Sequence, residues 1–185
     1  MKGIIIYQGK YGATEQYAQW LGDSLHISFL SADYVTPAML DGYDLVILGS
    51  SVYVGKLVIG KWLKRNFNSL GNKKVLLFIV CGTTVEDTLT QEQLLIENLE
   101  PEMLKTITVF FLPGRCIVSK LSRWDRLILK IGAMLQKDPI KKASMKRGFD
   151  RMDQKKLDSL IAAANGELQA AVDGQPELKK MALIC

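Results

Sequence analysis

The sequence predicts an α/β fold, and three observations carry that prediction. Short β-branched apolar runs recur along the chain; the segments between them place apolar residues at helical spacing; and the runs are almost continuously apolar, as a sheet covered on both faces requires. Of the 185 residues, 48% are hydrophobic and 23% charged, enough for one well-buried core and not for two. Residues 1–174 are therefore expected to form a single domain, followed by a loose tail over 175–185.

Five runs qualify as strands: Gly3 to Tyr7, Ile27 to Leu30, Leu45 to Gly49, Val75 to Val80 and Thr106 to Leu112. Between the first two, Tyr17, Ala18, Leu21 and Leu25 line one helical face. Between the second and third, Thr36 and Pro37 suit the start of a short helical turn, since proline is tolerated where no intrahelical N–H is needed. Ile59, Leu63, Phe67 and Leu70 give the helix after the third strand, and residues 90–98 a further one before Pro101. The last helix carries Leu157, Leu160, Ile161, Ala164 and Leu168 at core spacing, with Asp153 able to cap it. No repeat or Gly/Ser linker interrupts the pattern.

One stretch stands outside it. About 38 residues, 113–150, separate the fifth strand from the last helix, where such connections usually run ~2 to 6. Residues 114–151 hold eleven Lys/Arg against three Asp, a balance of +8 in a chain of net charge +5, so the remainder is mildly acidic. The insert is either a solvated basic face or a surface for an anion. Within it, residues 122–137 pattern as an amphipathic helix: Trp124, Leu127, Ile128, Ile131, Met134 and Leu135 share one side, with Arg123, Arg126, Lys130 and Lys137 mostly opposite. Such a helix either covers its own domain's loops or lies in an anionic membrane interface. Nucleic acid is not expected, because Trp124 alone does not supply interleaved stacking aromatics.

Several function classes are disfavoured. The longest apolar runs fall far short of the ~20 residues that cross a bilayer, and the opening MKGIIIYQGKYG lacks an extended signal-type core. Cys81, Cys116 and Cys185 form no CxxC pair, and His26 is the single histidine, so neither a disulfide framework nor a zinc site is expected. A reducing cytoplasm fits this cysteine usage.

In an open parallel sheet, ligands bind beyond the carboxyl ends of the strands. After the first strand, Gly9, Lys10, Tyr11, Gly12, Ala13 and Thr14 run into a helix N-terminus, where backbone N–H groups, the Thr14 hydroxyl and the Lys10 ammonium suit a phosphate. Alternatively, Thr14 only caps the helix and the glycines only turn the chain. After the third strand, Ser50, Ser51, Val52, Tyr53, Val54 and Gly55 form a glycine-bracketed apolar tip suited to a flat ring, unless Tyr53 packs on the following helix. After the fourth, Cys81, Gly82, Thr83 and Thr84 offer amides, hydroxyls and a small thiol. With no histidine base assigned to Cys81, cysteine catalysis is not expected.

This order of elements, the loop GKYGAT at Gly9 to Thr14 and GSSVYVG at Gly49 to Gly55 resemble the flavodoxin family. The resemblance implies a doubly wound five-stranded parallel sheet in the order 2-1-3-4-5, binding FMN noncovalently at the three loops. Gly12 and Thr14 match the family's (S/T)-x-T-G-x-T loop, whereas Gly9 and Tyr11 replace its two hydroxyl positions. Backbone amides and Lys10 would then compensate for the missing donors.

The insert, through Gly114-Arg115 and the Lys120 to Leu127 stretch with its Arg-Trp-Asp-Arg, is similar to the long loop of flavodoxin-type protoporphyrinogen dehydrogenases. That similarity implies an FMN-dependent oxidation of protoporphyrinogen IX with menaquinone as acceptor, at or near the inner face of the cell membrane. Arg115, Lys120, Arg123, Trp124 and Arg126 would meet substrate or partner, the guanidinium groups suiting carboxylates. An electron-transfer flavodoxin with a protein redox partner is the alternative, although such carriers are typically acidic and this chain has a pI near 9.0.

Overall fold

The first apolar run forms β1 (Gly3–Gln8), and the chain turns at Gly12 into α1 (Ala13–Leu25). There follow β2 (Phe29–Ser31), α2 (Pro37–Leu40), β3 (Leu45–Tyr53), β4 (Lys56–Leu57), α3 (Gly60–Leu70), β5 (Lys74–Cys81), α4 (Thr88–Asn98), α5 (Pro101–Thr106) and β6 (Ile107–Pro113). The computed structural model describes residues 2–82 and 87–173; the expected tail over 175–185 lies outside them. β1, β2, β3, β5 and β6 form a parallel sheet in the order β2-β1-β3-β5-β6, which is the 2-1-3-4-5 order of the five expected strands.

Because successive strand residues point to opposite faces, an apolar run feeds two cores at once. Ile4, Ile6, Val46, Leu48, Leu77 and Ile79 face α3 and α5, where Leu63, Leu70 and Met103 meet them. Ile5, Leu45, Ile47, Leu76 and Phe78 face the other way, onto Tyr17 and Leu21 of α1. At Gly49 the sheet admits no side chain, since a Cβ there would stand 2.3 Å from the Phe78 ring.

All five expected strands shift by at least one residue, Thr106 falling in α5 rather than at the start of β6, and two of them shift by more. β2 begins at Phe29 rather than Ile27, because the Ile27 N–H is used to close α1, donating to the Gly22 carbonyl at 3.2 Å. β3 continues four residues beyond Gly49, so Ser50 to Tyr53 belong to a strand and not to the loop expected there. Ser50 is buried without penalty because its hydroxyl donates to Ser51 O at 2.9 Å and accepts from Ile59 N at 3.3 Å. β4 then pairs back antiparallel, Tyr53 against Lys56, around a tip at Val54 and Gly55.

The insert adds β7 (Arg115–Cys116), α6 (Arg123–Leu135), α7 (Pro139–Arg147) and β8 (Phe149–Asp150) before α8 (Asp158–Asp173). β7 and β8 pair antiparallel, Arg115 with Asp150 and Cys116 with Phe149, closing the insert at its base. Asp153 caps a 3-10 turn that leads into α8, its carboxylate accepting from Lys155 N at 3.0 Å. Leu157, Leu160 and Ala164 are fully buried against the α1 side of the sheet.

Both ends of the insert are fastened to α1 by one buried phenol. Tyr17 Oη donates to Pro113 O at 2.9 Å and accepts from Asp153 N at 3.1 Å. Tyr17→Phe removes this hydroxyl from two backbone groups in a buried setting, which costs about 1–3 kcal/mol. Urea unfolding should show that loss as a lower midpoint with an unchanged slope.

Candidate functional site

The carboxyl ends of β1 and β3 bring two loops side by side. Gly9 stands where they meet, since a Cβ there would lie 2.7 Å from Thr14 Oγ1 and 3.8 Å from Ser51 Oγ. The hydroxyl position that the flavodoxin pattern carries here is therefore closed by the chain's own Thr14. Gly12 is the N-cap of α1 at φ 80°, a left-handed conformation that glycine adopts without strain. Thr14 does not cap the helix. Its Oγ1 and Ser51 Oγ are both buried and have no hydrogen-bond partner among the described residues. Unpaired buried hydroxyls cost about 1–3 kcal/mol each, so two of them beside a helix N-terminus form a fitting cradle for an oxygen-rich anionic group.

A side chain from the insert reaches the same place. Asp125, only 6% exposed, accepts hydrogen bonds from Lys10 Nζ at 3.0 Å, from Tyr53 Oη at 2.6 Å and from Tyr11 Oη. The Lys10 ammonium also lies 2.8 Å from the second carboxylate oxygen and 3.6 Å from the centre of the Tyr53 ring. One face of Tyr53 is thus covered by a cation.

The helix start explains how the carboxylate comes free. Ser122 caps α6, its hydroxyl accepting from Asp125 N at 3.1 Å. In a capping box the acidic side chain would accept the N-cap residue's own N–H. Here Tyr11 Oη takes that N–H at 3.3 Å, and the Asp125 carboxylate turns to the loops instead. The hydrogen bond from Lys10, then those from Tyr11 and Tyr53, hold the Asp125 carboxyl well below the usual carboxylate range despite burial. Burial draws the Lys10 ammonium down, but the bonds to Asp125 and Tyr53 outweigh it and its pKa is raised.

The other expected positions are distributed around this clasp. Val52 packs on the core, while Val54 projects to solvent at φ 48° beside Gly55 at φ 72°, a costly backbone for a β-branched residue. Ala13 and Cys81 are buried, whereas Gly82 is exposed, with the Phe149 ring so near that a Cβ there would stand 2.9 Å from it. Thr83 and Thr84 lie outside the described residues.

The insert's cations do not converge. Arg115 pairs with Asp150 at 3.8 Å, and Arg126 donates to the carbonyls of Leu121 at 3.0 Å and Ser119 at 3.3 Å, holding its own loop. Lys120 and Arg123 are exposed. Trp124 is 75% exposed, and Leu127, Ile128, Ile131, Met134 and Leu135 extend the apolar face along α6. The helix buries a narrower strip, with Asp125 and Ala133 inward and Leu129 half-buried between them.

Asp125 went unassigned from sequence, although Ser122-x-x-Asp125 ahead of an apolar run is a capping signal. Sequence also left unassigned a groove of about 770 Å³ beside Tyr53, lined by Lys56, Lys61, Lys64 and Ile96. Lys64 is paired with Glu100 at 3.2 Å across it.

The clasp fixes a pH dependence. Asp125 has its folded-state pKa depressed below the ~3.9 of an unfolded aspartate, so its stabilisation is present above about pH 4 and is lost as pH falls through the folded value. Denaturant unfolding of the wild type and of Asp125→Asn should therefore differ by a constant margin from about pH 5 to 8, and the margin should shrink only in stronger acid.

Comparison with known proteins places these features. The family model described as a flavodoxin domain matches residues 4–142. An uncharacterised protein of Methanocaldococcus jannaschii is 34% identical over 85 residues, 44% of this chain and 55% of that protein, so the chain spans about half the length of this curated relative. Among solved structures, the two-electron reduced flavodoxin of Megasphaera elsdenii is similar at TM-score 0.44 and 18% identity, covering 60% of this chain and 83% of its own. A flavoprotein of Lactobacillus acidophilus in complex with FMN gives 0.41 and 16%, covering 61% and 92%. With three-quarters of its length matched by the family model and its sheet in the corresponding strand order, the chain belongs to the flavodoxin domain family.

Proposed function

We infer that this protein is an FMN-dependent oxidoreductase that dehydrogenates a porphyrinogen and delivers the electrons to a quinone at an anionic membrane surface. FMN is the cofactor, and it supplies the hydride and electron chemistry when bound. Backbone N–H groups at the start of α1, Thr14 Oγ1 and Ser51 Oγ would hold its phosphate, because these two hydroxyls are otherwise unpaired. The face of Tyr53 away from Lys10 would lie against its ring. Removal of one hydrogen from each of the four methylene bridges and of two from the pyrrole nitrogens would yield six electrons and six protons, which reduce three quinones to three quinols, so the reaction balances with the quinone as its oxidant.

The observation that carries this reading is the form of the insert. α6 is anchored at the flavin loops by Asp125, yet presents Trp124, Leu127, Ile128, Ile131, Met134 and Leu135 to solvent. Arg123, Lys130 and Lys137 are exposed on or just beyond the same helix. An amphipathic surface of this kind suits the boundary of an anionic bilayer, where quinones are soluble. No helix among the described residues is long and apolar enough to cross a membrane, which is consistent with peripheral contact.

The test uses purified holoprotein, porphyrinogen and a menaquinone analogue, with porphyrin fluorescence as readout. Turnover should require the quinone and rise when phosphatidylglycerol vesicles are present. Arg126 is occupied by its own loop, so the informative variant is Arg123→Gln, Lys130→Gln and Lys137→Gln together. At about 1 kcal/mol per cation, it should weaken vesicle binding by roughly 100-fold at low salt while FMN stays bound. Wild-type binding that ignores salt, or electron transfer confined to a small protein acceptor, would refute the membrane–quinone reading in favour of a carrier flavodoxin.

A further inference from the structure

We propose that Asp125 is a positioning residue of the flavin site, through which the insert sets the affinity for FMN. This rests on the assignment of FMN to the two loops. Lys10 and Tyr11 come from the loop after β1, Tyr53 from the end of β3, and Asp125 from the insert, 115, 114 and 72 residues further along the chain than Lys10, Tyr11 and Tyr53 respectively. No other described side chain joins both loops to the insert by hydrogen bonds. The three donors fill both carboxylate oxygens, so the two loops are held to each other and to the first turn of α6 by one buried group.

Two consequences follow for the cofactor. The Lys10 charge, which the sequence offers to a phosphate, is already matched by Asp125, so the phosphate must be held mainly by amides and hydroxyls. The Tyr53 ring has its hydroxyl tethered and one face covered by Lys10, which fixes the plane that the other face offers. A site ordered in advance spares the ligand the cost of ordering it. With the carboxylate removed, Lys10, Tyr11 and Tyr53 lose their common anchor, and FMN must order both loops on binding. Asp125 reaches no reacting atom in this scheme; it acts through the two loops.

Trp124 and Asp125 are neighbours on the first turn of α6, one exposed and one buried in the clasp.

The decisive experiment titrates FMN into apoprotein. Asp125→Asn should bind FMN at least tenfold more weakly and leave the bound flavin more fluorescent, with the apoprotein still folding cooperatively. Tyr53→Phe, which keeps the ring and loses only the hydroxyl, should show part of the same loss. The double variant should be no worse than Asp125→Asn alone, because both changes cut one interaction. Wild-type affinity in Asp125→Asn would overturn the proposal and reduce the clasp to a structural contact. Tighter binding would overturn it in the opposite sense, showing that the carboxylate competes with phosphate for Lys10. Should Asp125→Asn fail to fold, Tyr11→Phe with Tyr53→Phe asks the same question, and unchanged affinity and emission there would be equally fatal. Failure of the wild type itself to bind FMN would instead overturn the cofactor assignment.

Discussion

A carboxylate buried in protein stays charged only if its oxygens are met by donors, and at Asp125 those donors are the side chains that line the candidate flavin site. The interaction works in both directions. Asp125 needs Lys10, Tyr11 and Tyr53 to remain ionised in a 6% exposed position, and they need Asp125 to stay where a ligand would find them. The insert is for that reason part of the site's construction. Tyr17 fastens its ends to α1, β7 and β8 close its base, and Asp125 secures its far side to the loops.

The loop after β1 commits most of its own polar groups to the chain itself. Gly9 leaves room for Thr14, Tyr11 spends its hydroxyl on the insert, and Lys10 is paired with a carboxylate. What remains for a ligand is a helix N-terminus together with two orphaned hydroxyls, one of them contributed by β3. Ser51 therefore stands in space near the donor position that Gly9 vacates in sequence. The net effect is a pair of loops tied together by one buried carboxylate, with an exposed apolar helix attached beside them.

Much of the scaffold was legible because parallel strands buried on both faces write long Val/Ile/Leu runs, and five such runs sufficed to give the sheet. The limits at Gly49 were not, because Gly-Ser-Ser reads as loop while Ser50 in fact satisfies its hydroxyl inside the sheet. The hairpin that follows was hidden for a related reason: its tip places Val54 at positive φ, where hairpin turns ordinarily use Asn or Gly. Thr14 and Gly12 were both read at the start of α1, but which of them caps it depends on backbone angles. Asp125 was visible as part of an Arg-Trp-Asp-Arg stretch and as the third residue after a capping serine, but gave no sign of where its carboxylate goes, since the partners of that group are distant in sequence. Arg126, expected to meet a partner because of its charge, also donates to carbonyls five and seven residues away, contacts that its charge alone does not reveal. Local periodicity records what a segment buries; it is silent on which distant loop a single polar side chain will meet.

The central claim is that the insert and the two loops form one unit. Hydrogen–deuterium exchange of the full chain, compared with and without FMN, tests it most directly. The account predicts that FMN slows exchange not only at residues 9–14 and 50–55 but also at the first turn of α6, residues 122–126. Protection of the loops with no change across the insert would contradict it.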